Sequence, residues 1–435
     1  MEKMIYQQFG QSVYHQKLKK GMDVTLIPRP GFQKAYGILT ANYGSVDNQF
    51  ALKDHDSVIK VPDGIAHFLE HKMFEKADHD AFDIFGEQGA DANAFTSYTQ
   101  TSYQFSAARN IQKNVRTLLN FVQSPYFTMA GVKKEQGIIG QEIKMYNDNP
   151  DSRLYNGTIA QLYPNDPMHI DIAGTVRSIA QITPDLLMDC YQTFYQPSNL
   201  KLVVVGNIDP ESTMSTIQKE EQSHGECPQI FHRGQLIHDE QGLDVIDTGS
   251  VRMPISRPKA MLGIRGLSEF NDPYDLLKYK IACELMLEMI LDDTTSNYLN
   301  LYNKGIIDDS FGFSFEMERG FHFATISSDT TEPEHFFAEI RQILLTGETS
   351  LQNMTDEFVD VKRGALGRLI MSLNSPEIIA NRYSSSLFGT INIFDEIQIL
   401  HSISLEDLYK AYQQFIAPLR TTEFTINPSQ DVIDS

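Results

Sequence analysis

The chain has 435 residues, with 36 Lys and Arg against 57 Asp and Glu and a formal net charge of −21. This length predicts more than one domain and ample core material, and the acidic excess excludes the basic footprint that nucleic-acid binding needs. No run approaches eighteen apolar residues, and the opening MEKMIYQQFGQSVYHQKL is polar throughout, so neither a membrane span nor a signal peptide is expected.

The first informative stretch is GIAHFLEHKMFEK at 64–76, containing His-x-x-Glu-His as His67, Glu70 and His71. The spacing predicts a helix with positions i and i+4 on one face, one turn apart. Two imidazoles placed so can grip one metal, and Glu70 beside them supplies the carboxylate that zinc-assisted hydrolysis needs. The order is the inverse of the better-known His-Glu-x-x-His. The plain alternative is a pair of solvated histidines on an amphipathic helix. A catalytic zinc also takes three protein ligands, so a third must come from elsewhere.

Residues 89–105, GADANAFTSYTQTSYQF, predict a turn followed by a strand rich in Thr, Tyr and Phe. Next, EQGIIGQEIKMYNDNPDSR places Glu135 and Glu142 nearly two helical turns apart on one face, with Ile138, Ile139 and Ile143 as an apolar stripe. Glutamates so spaced are ordinarily a solvated face paired with lysines, here Lys134 or Lys144.

An internal repeat follows. ITPDLLMDCYQTFYQP at 182–197 aligns with ISLEDLYKAYQQFIAP at 403–418. Each copy has a helix-start residue (Thr183, Ser404), an apolar period near 3.6 and a terminating proline, and each is followed by a strand, LKLVVVGNI or TTEFTINP. The offset of about half the chain predicts two copies of one α/β unit. The expected division is 1–225 as a zinc-binding catalytic half, 226–245 as a linker broken by Gly, Pro and polar residues, and 246–435 as a related half without metal. Residues 275–290, DLLKYKIACELMLEMI, read as a core helix. Three cysteines, Cys190, Cys227 and Cys283, are widely spread; two sit in apolar helical contexts and read as buried thiols rather than a disulfide frame or metal cluster, and the expected compartment is the cytoplasm.

The segments GIAHFLEH and EQGIIGQEIKMYNDNP resemble the two metal-site segments of the insulinase/pitrilysin family of inverted-zincin metallopeptidases, in the short, bacterial, processing-protease-like branch. The resemblance implies that Glu142 is the third zinc ligand and that Glu135 is an outer carboxylate that orients a histidine. It makes Glu70 the general base on a zinc-bound water. It implies that Asn93, Ala94, Phe95 and Thr96 form an edge strand pairing with the backbone of a peptide substrate. The implied fold is α+β: two homologous α/β halves, each a mixed, largely antiparallel sheet flanked by helices.

The family also carries an Arg and a Tyr in the second half, which approach the substrate carbonyl. The matching stretch here, YLNLYNKGIIDDSFGFSFE, has Tyr302 near the Arg place and Asp308 or Asp309 near the Tyr place. Two expectations follow. Either a related chain supplies these groups across a shared chamber, making a dimer or hetero-oligomer, or Tyr298, Tyr302 or Arg319 substitutes. The expected activity is zinc-dependent endoproteolysis of short or unfolded peptides, with no nucleic-acid or membrane partner. The alternative is a non-catalytic or regulatory peptidase-like subunit that binds metal or peptide without turnover when alone.

Overall fold

The structure, a computed structural model, describes residues 1–52, 58–223, 231–233, 244–267, 269–385, 387–389 and 391–429. The first half runs β1 (Glu2–Tyr6), β2 (Gln11–Lys17), β3 (Asp23–Pro28), β4 (Ala35–Ala41), β5 (Gln49–Leu52), β6 (Val58–Lys60), α1 (Ile65–Phe74), α2 (Ala81–Gln88), β7 (Ala90–Thr96), β8 (Thr101–Ala107), α3 (Ile111–Val122), α4 (Met129–Asp148), α5 (Pro150–Leu162), α6 (Val176–Ile179), α7 (Pro184–Phe194), β9 (Leu200–Gly206), α8 (Pro210–Ser223). After β10 (Phe231–Arg233) the second half runs β11 (Thr248–Met253), β12 (Lys259–Arg265), α9 (Pro273–Leu291), α10 (Ser296–Asn303), β13 (Gly312–Glu318), β14 (Phe321–Asp329), α11 (Pro333–Leu351), α12 (Thr355–Ser372), α13 (Pro376–Ser384), α14 (Ile393–Ser402), α15 (Leu405–Phe415), β15 (Thr421–Pro428). Most of the expected linker 226–245, Cys227 included, lies outside the described residues.

Seven strands form one sheet in the order β1-β2-β3-β9-β4-β8-β7, antiparallel except for β3 beside β9. Five form another in the order β11-β15-β12-β14-β13, antiparallel except for β11 beside β15. The sequence repeat is thus a structural repeat: α7 leads into β9 and α15 into β15, and each strand enters the interior of its sheet with one parallel and one antiparallel neighbour. Both helices start where the sequence signals, with the Thr183 and Ser404 hydroxyls each accepting a backbone N–H three residues on. The expected class holds: two related halves, each a mixed, largely antiparallel sheet flanked by helices.

The uninterrupted apolar run of β9 is explained by burial on both faces. Leu202 and Val204 join a core with α1, α3 and α7, whereas Val203 and Val205 join a second core made largely by the other half. The halves exchange helices. Pro150 cannot continue α4 and opens α5 instead, with Asn149 capping it, and α5 packs on β12 and β15 of the second sheet. Reciprocally, α13 packs on β4 and β9 of the first. The contact is close: a Cβ on Gly157 of α5 would lie 2.3 Å from the Phe424 ring. α9 is the core helix expected, its Cys283 buried and free, as is Cys190 on α7. Among the described residues no helix is long and apolar enough to cross a membrane.

Candidate metal centre

Helix α1 starts at Gly64, whose φ of 88° lies where only glycine is unstrained. A Cβ there would also stand 2.4 Å from the Ala173 carbonyl oxygen, so this residue lets the chain turn into α1 against neighbouring backbone. α1 buries Ile65, Phe68, Leu69 and Met73 in the first core, and this turns His67 and His71 toward α4. α4 in turn buries Val132, Ile139 and Ile143, presenting Glu135 and Glu142 to α1. Ile138 departs from the expected stripe: it is exposed and lines the cleft instead. It sits next to Ile139 but about 100° round the helix from it.

The residues singled out from sequence converge. His67 Nε2 is 3.8 Å from Glu142 Oε1, and His71 Nε2 is 3.7 Å from Glu142 Oε2. The three groups each offer a ligand atom within 4.8 Å of the others. Ligand atoms around a tetrahedral zinc stand about 3.4 Å apart, given metal–ligand distances near 2.1 Å, so the spacing fits such an ion. Two imidazoles and one carboxylate also suit zinc chemically.

The surroundings set the state of each ring. Glu135 Oε1 lies 3.1 Å from His71 Nδ1. A carboxylate only accepts, so Nδ1–H donates and the Nε2 lone pair faces Glu142. Glu135 is therefore engaged by a histidine rather than by Lys134, as a solvated face would require. Burial, with the charge of His71 second, lowers the pKa of His67 to about 3, holding it neutral. Its Nδ1 is buried and has no hydrogen-bond partner among the described residues. At His71 burial acts downward, but the Glu135 hydrogen bond and the charges of Glu70, Glu135 and Glu142 outweigh it and raise the pKa.

Glu70 is 7 % exposed, and burial raises its pKa against the lowering effect of a hydrogen bond from Thr96. That bond, Thr96 Oγ1 to Glu70 Oε2 at 2.7 Å, is not visible in sequence. Asn93, Ala94, Phe95 and Thr96 do lie on the edge strand β7, which among the described residues pairs only with β8, and all four line the cleft. A second residue that sequence reasoning missed is Tyr146, whose hydroxyl donates to Glu142 Oε1 at 3.1 Å. Its i+4 spacing from Glu142 was the available signal.

The cleft measures about 920 Å³, and every described residue lining it falls between 67 and 173. None of the candidate substitute donors lines it. Tyr302 donates to Asp309 at 3.0 Å, Tyr298 stacks on Tyr302, and Arg319 grips Asp47 at 2.8 Å. Asp308 pairs with Arg257.

Comparison with known proteins agrees with this geometry. Residues 60–176 match the family model described as Insulinase (Peptidase family M16), and residues 181–361 match the Peptidase M16 inactive domain. The protein named uncharacterized zinc protease YmfH of Bacillus subtilis (strain 168) is 42% identical over 425 residues, covering 97% of this chain and 98% of that one. An uncharacterized zinc protease of Rickettsia felis is 28% identical over 162 residues, 36% of this chain and 39% of its own length. Among solved structures, an M16-like peptidase from Alicyclobacillus acidocaldarius superimposes with a TM-score of 0.90 at 30% identity, over 96% of this chain and 99% of that one. A protease from Helicobacter pylori shares the fold at a TM-score of 0.78 and 16% identity, over 96% and 99% of the two chains. With both halves matched in order and a full-length relative at this identity, the chain belongs to the insulinase family of peptidases, M16.

Proposed function

We propose that the chain is a zinc-dependent endopeptidase of short or unfolded peptides, with His67, His71 and Glu142 as metal ligands and Glu70 as general base. The observation that carries this reading is the convergence of the three ligand atoms within 4.8 Å, beside a buried carboxylate. Zinc, when bound, supplies a Lewis acid that polarises the scissile carbonyl and makes water acidic enough to attack. Glu70 takes a proton from the attacking water and returns it to the leaving amine; its raised pKa suits both transfers. Thr96 holds Glu70 in one orientation, and Glu135 fixes the His71 ring. The open edge of β7 takes the peptide backbone as an added strand, which favours extended substrates over folded ones.

The charge developing on the substrate carbonyl calls for donors beyond the metal. Lys134 is the one Lys or Arg among the described lining residues, and none of the second-half candidates lines the cleft. This supports a dimer or hetero-oligomer in which a related chain contributes Arg and Tyr. The same observation favours the second reading, a peptidase-like subunit that binds without turnover when alone. Glu70→Gln, with bound zinc measured, tests the mechanism: a loss of about a hundredfold or more in peptide cleavage with zinc retained is expected, and full activity with zinc bound overturns it. Native mass and cleavage by the lone chain separate the two assemblies, since turnover by a monomer removes the need for a partner.

A further inference from the structure

We propose that Glu318, at the end of β13 in the second half, is a positioning residue for the cleft: it holds the turn at residues 97–100 and thereby sets Thr96 against Glu70. This rests on the reading of Glu70 as general base.

Thr96 and Thr101 are the paired last and first residues of β7 and β8, so the turn between them fixes where the Thr96 hydroxyl stands. Ser97 Oγ donates to Glu318 Oε2 at 3.3 Å, and Thr99 Oγ1 donates to the same oxygen. Ser97 Oγ itself accepts the N–H groups of Thr99 at 3.2 Å and Gln100 at 3.3 Å. Glu318 therefore grips the side chain that organises the turn. A carboxylate only accepts, so both hydroxyls have their direction set by it. Burial raises the pKa of Glu318, while the Thr99 and Ser97 hydrogen bonds act downward.

The next residue reinforces the grip. Arg319 Nη2 bonds both carboxylate oxygens of Asp47, at 3.0 and 2.8 Å. Asp47 Oδ2 accepts the Gly44 N–H at 3.0 Å, and the segment 44–47 lies on the same turn through Ser45 N to Ser97 O at 3.1 Å and Val46 N to Tyr98 O at 3.0 Å. Two consecutive residues of the second half thus hold the turn directly and through its neighbour. What depends on this is one hydrogen bond of 2.7 Å from Thr96 to Glu70, with Thr101 Oγ1 at 3.4 Å as the alternative partner. A shift of about 1 Å at the tip takes the first bond beyond hydrogen-bonding range. The half without metal ligands thereby acts on the proposed base without entering the cleft.

The test is hydrogen exchange by mass spectrometry on the zinc-loaded full chain, alongside cleavage of a quenched mixed-sequence peptide library. In Glu318→Ala, exchange across residues 93–101 is expected to rise about tenfold or more, with residues 65–74 and zinc content unchanged. The expected kcat falls roughly tenfold with KM within about twofold, the size of a lost hydrogen bond to a charged group. Glu318→Gln, whose amide oxygen still accepts, recovers most of both. Adding Thr96→Val to Glu318→Ala costs nothing further, because both act through one bond. Unchanged exchange, unchanged kcat or additive losses each overturn the proposal. Should Glu318→Ala fail to fold, Ser97→Ala with Thr99→Val removes the same two bonds from the other side, together with the two N–H bonds that Ser97 Oγ accepts; a rise in exchange and a fall in kcat at least as large are expected, and their absence again overturns the proposal. The two readings fail separately: an active Glu70→Gln sinks the catalytic assignment, whereas an inactive Glu70→Gln beside an unaffected Glu318→Ala sinks only the clamp.

Discussion

Removing the Glu135 carboxylate should weaken zinc binding while leaving all three proposed ligands in place. Glu135 is buried and sits 3.1 Å from His71 Nδ1. Its loss takes away the acceptor that fixes the proton on Nδ1 and leaves that N–H without its partner. The His71 ring then becomes free to rotate or to carry its proton on Nε2 instead of Nδ1, and either competes with presenting the Nε2 lone pair to a metal. Outer carboxylates of this kind typically contribute about 10–100-fold to metal affinity, so Glu135→Ala should raise the zinc Kd by that factor, roughly 1.4–2.7 kcal/mol. Glu135→Gln retains an acceptor oxygen and should lose less. Competition with a zinc-responsive indicator at fixed pH measures the ratio directly. A Glu135→Ala variant that binds zinc as tightly as the parent chain would refute the orienting role. One that loses as much as Glu142→Ala would instead make Glu135 a ligand itself.

Three further outcomes follow from the fold. Gly157→Ala should destabilise the chain by about 1–3 kcal/mol in denaturant unfolding, since its Cβ would stand 2.3 Å from the Phe424 ring; an unchanged midpoint would mean that α5 and β15 can separate freely. Ser404→Ala should cost about 1 kcal/mol by removing the α15 cap, while Ser404→Asp should cost far less; equal losses in the two variants would contradict the capping role. The third concerns acid. Burial lowers the pKa of His322 to about 4, so the unfolded chain takes up that proton first, near pH 6.5. Its contribution is complete above that pH and is lost as pH falls toward 4, at roughly 1.4 kcal/mol per unit and about 3 kcal/mol in all. His322→Gln should flatten the pH dependence of urea unfolding across that window, and a slope equal to the parent's would contradict it.

The parts of the site legible in sequence are those set by local geometry. His67, Glu70 and His71 announce themselves because helical spacing alone brings them to one face, and the same holds for Glu135 with Glu142. That the two helices meet is a tertiary fact with no periodic signature; only the family resemblance puts Glu142 opposite His67. The repeat ending each half is legible because caps, apolar period and following strand are all local. By contrast, Thr96 reads as one more threonine in a strand, and nothing in its neighbourhood says that its hydroxyl reaches a glutamate 26 residues earlier. Composition places Ile138 in the core stripe, but on α4 one step of rotation moves it from the core to the cleft. The exchange of α5 and α13 is equally hidden, since an amphipathic helix shows that it has a face to bury but not which sheet will cover it.

That exchange has a consequence for synthesis of the chain. The first sheet has its last central strand, β9, by residue 206, yet α13, which covers Tyr36 and its neighbours, ends at Ser384. Roughly 180 more residues must leave the ribosome first, on the order of ten to forty seconds at about 5–20 residues per second. During that interval the nascent sheet presents Val203, Val205 and Ile38, which end in the shared core, without their partners. The same applies to α5, made long before the strands it packs on. The first half therefore cannot complete its fold as it emerges, and an apolar face of its sheet stays open until the last third arrives.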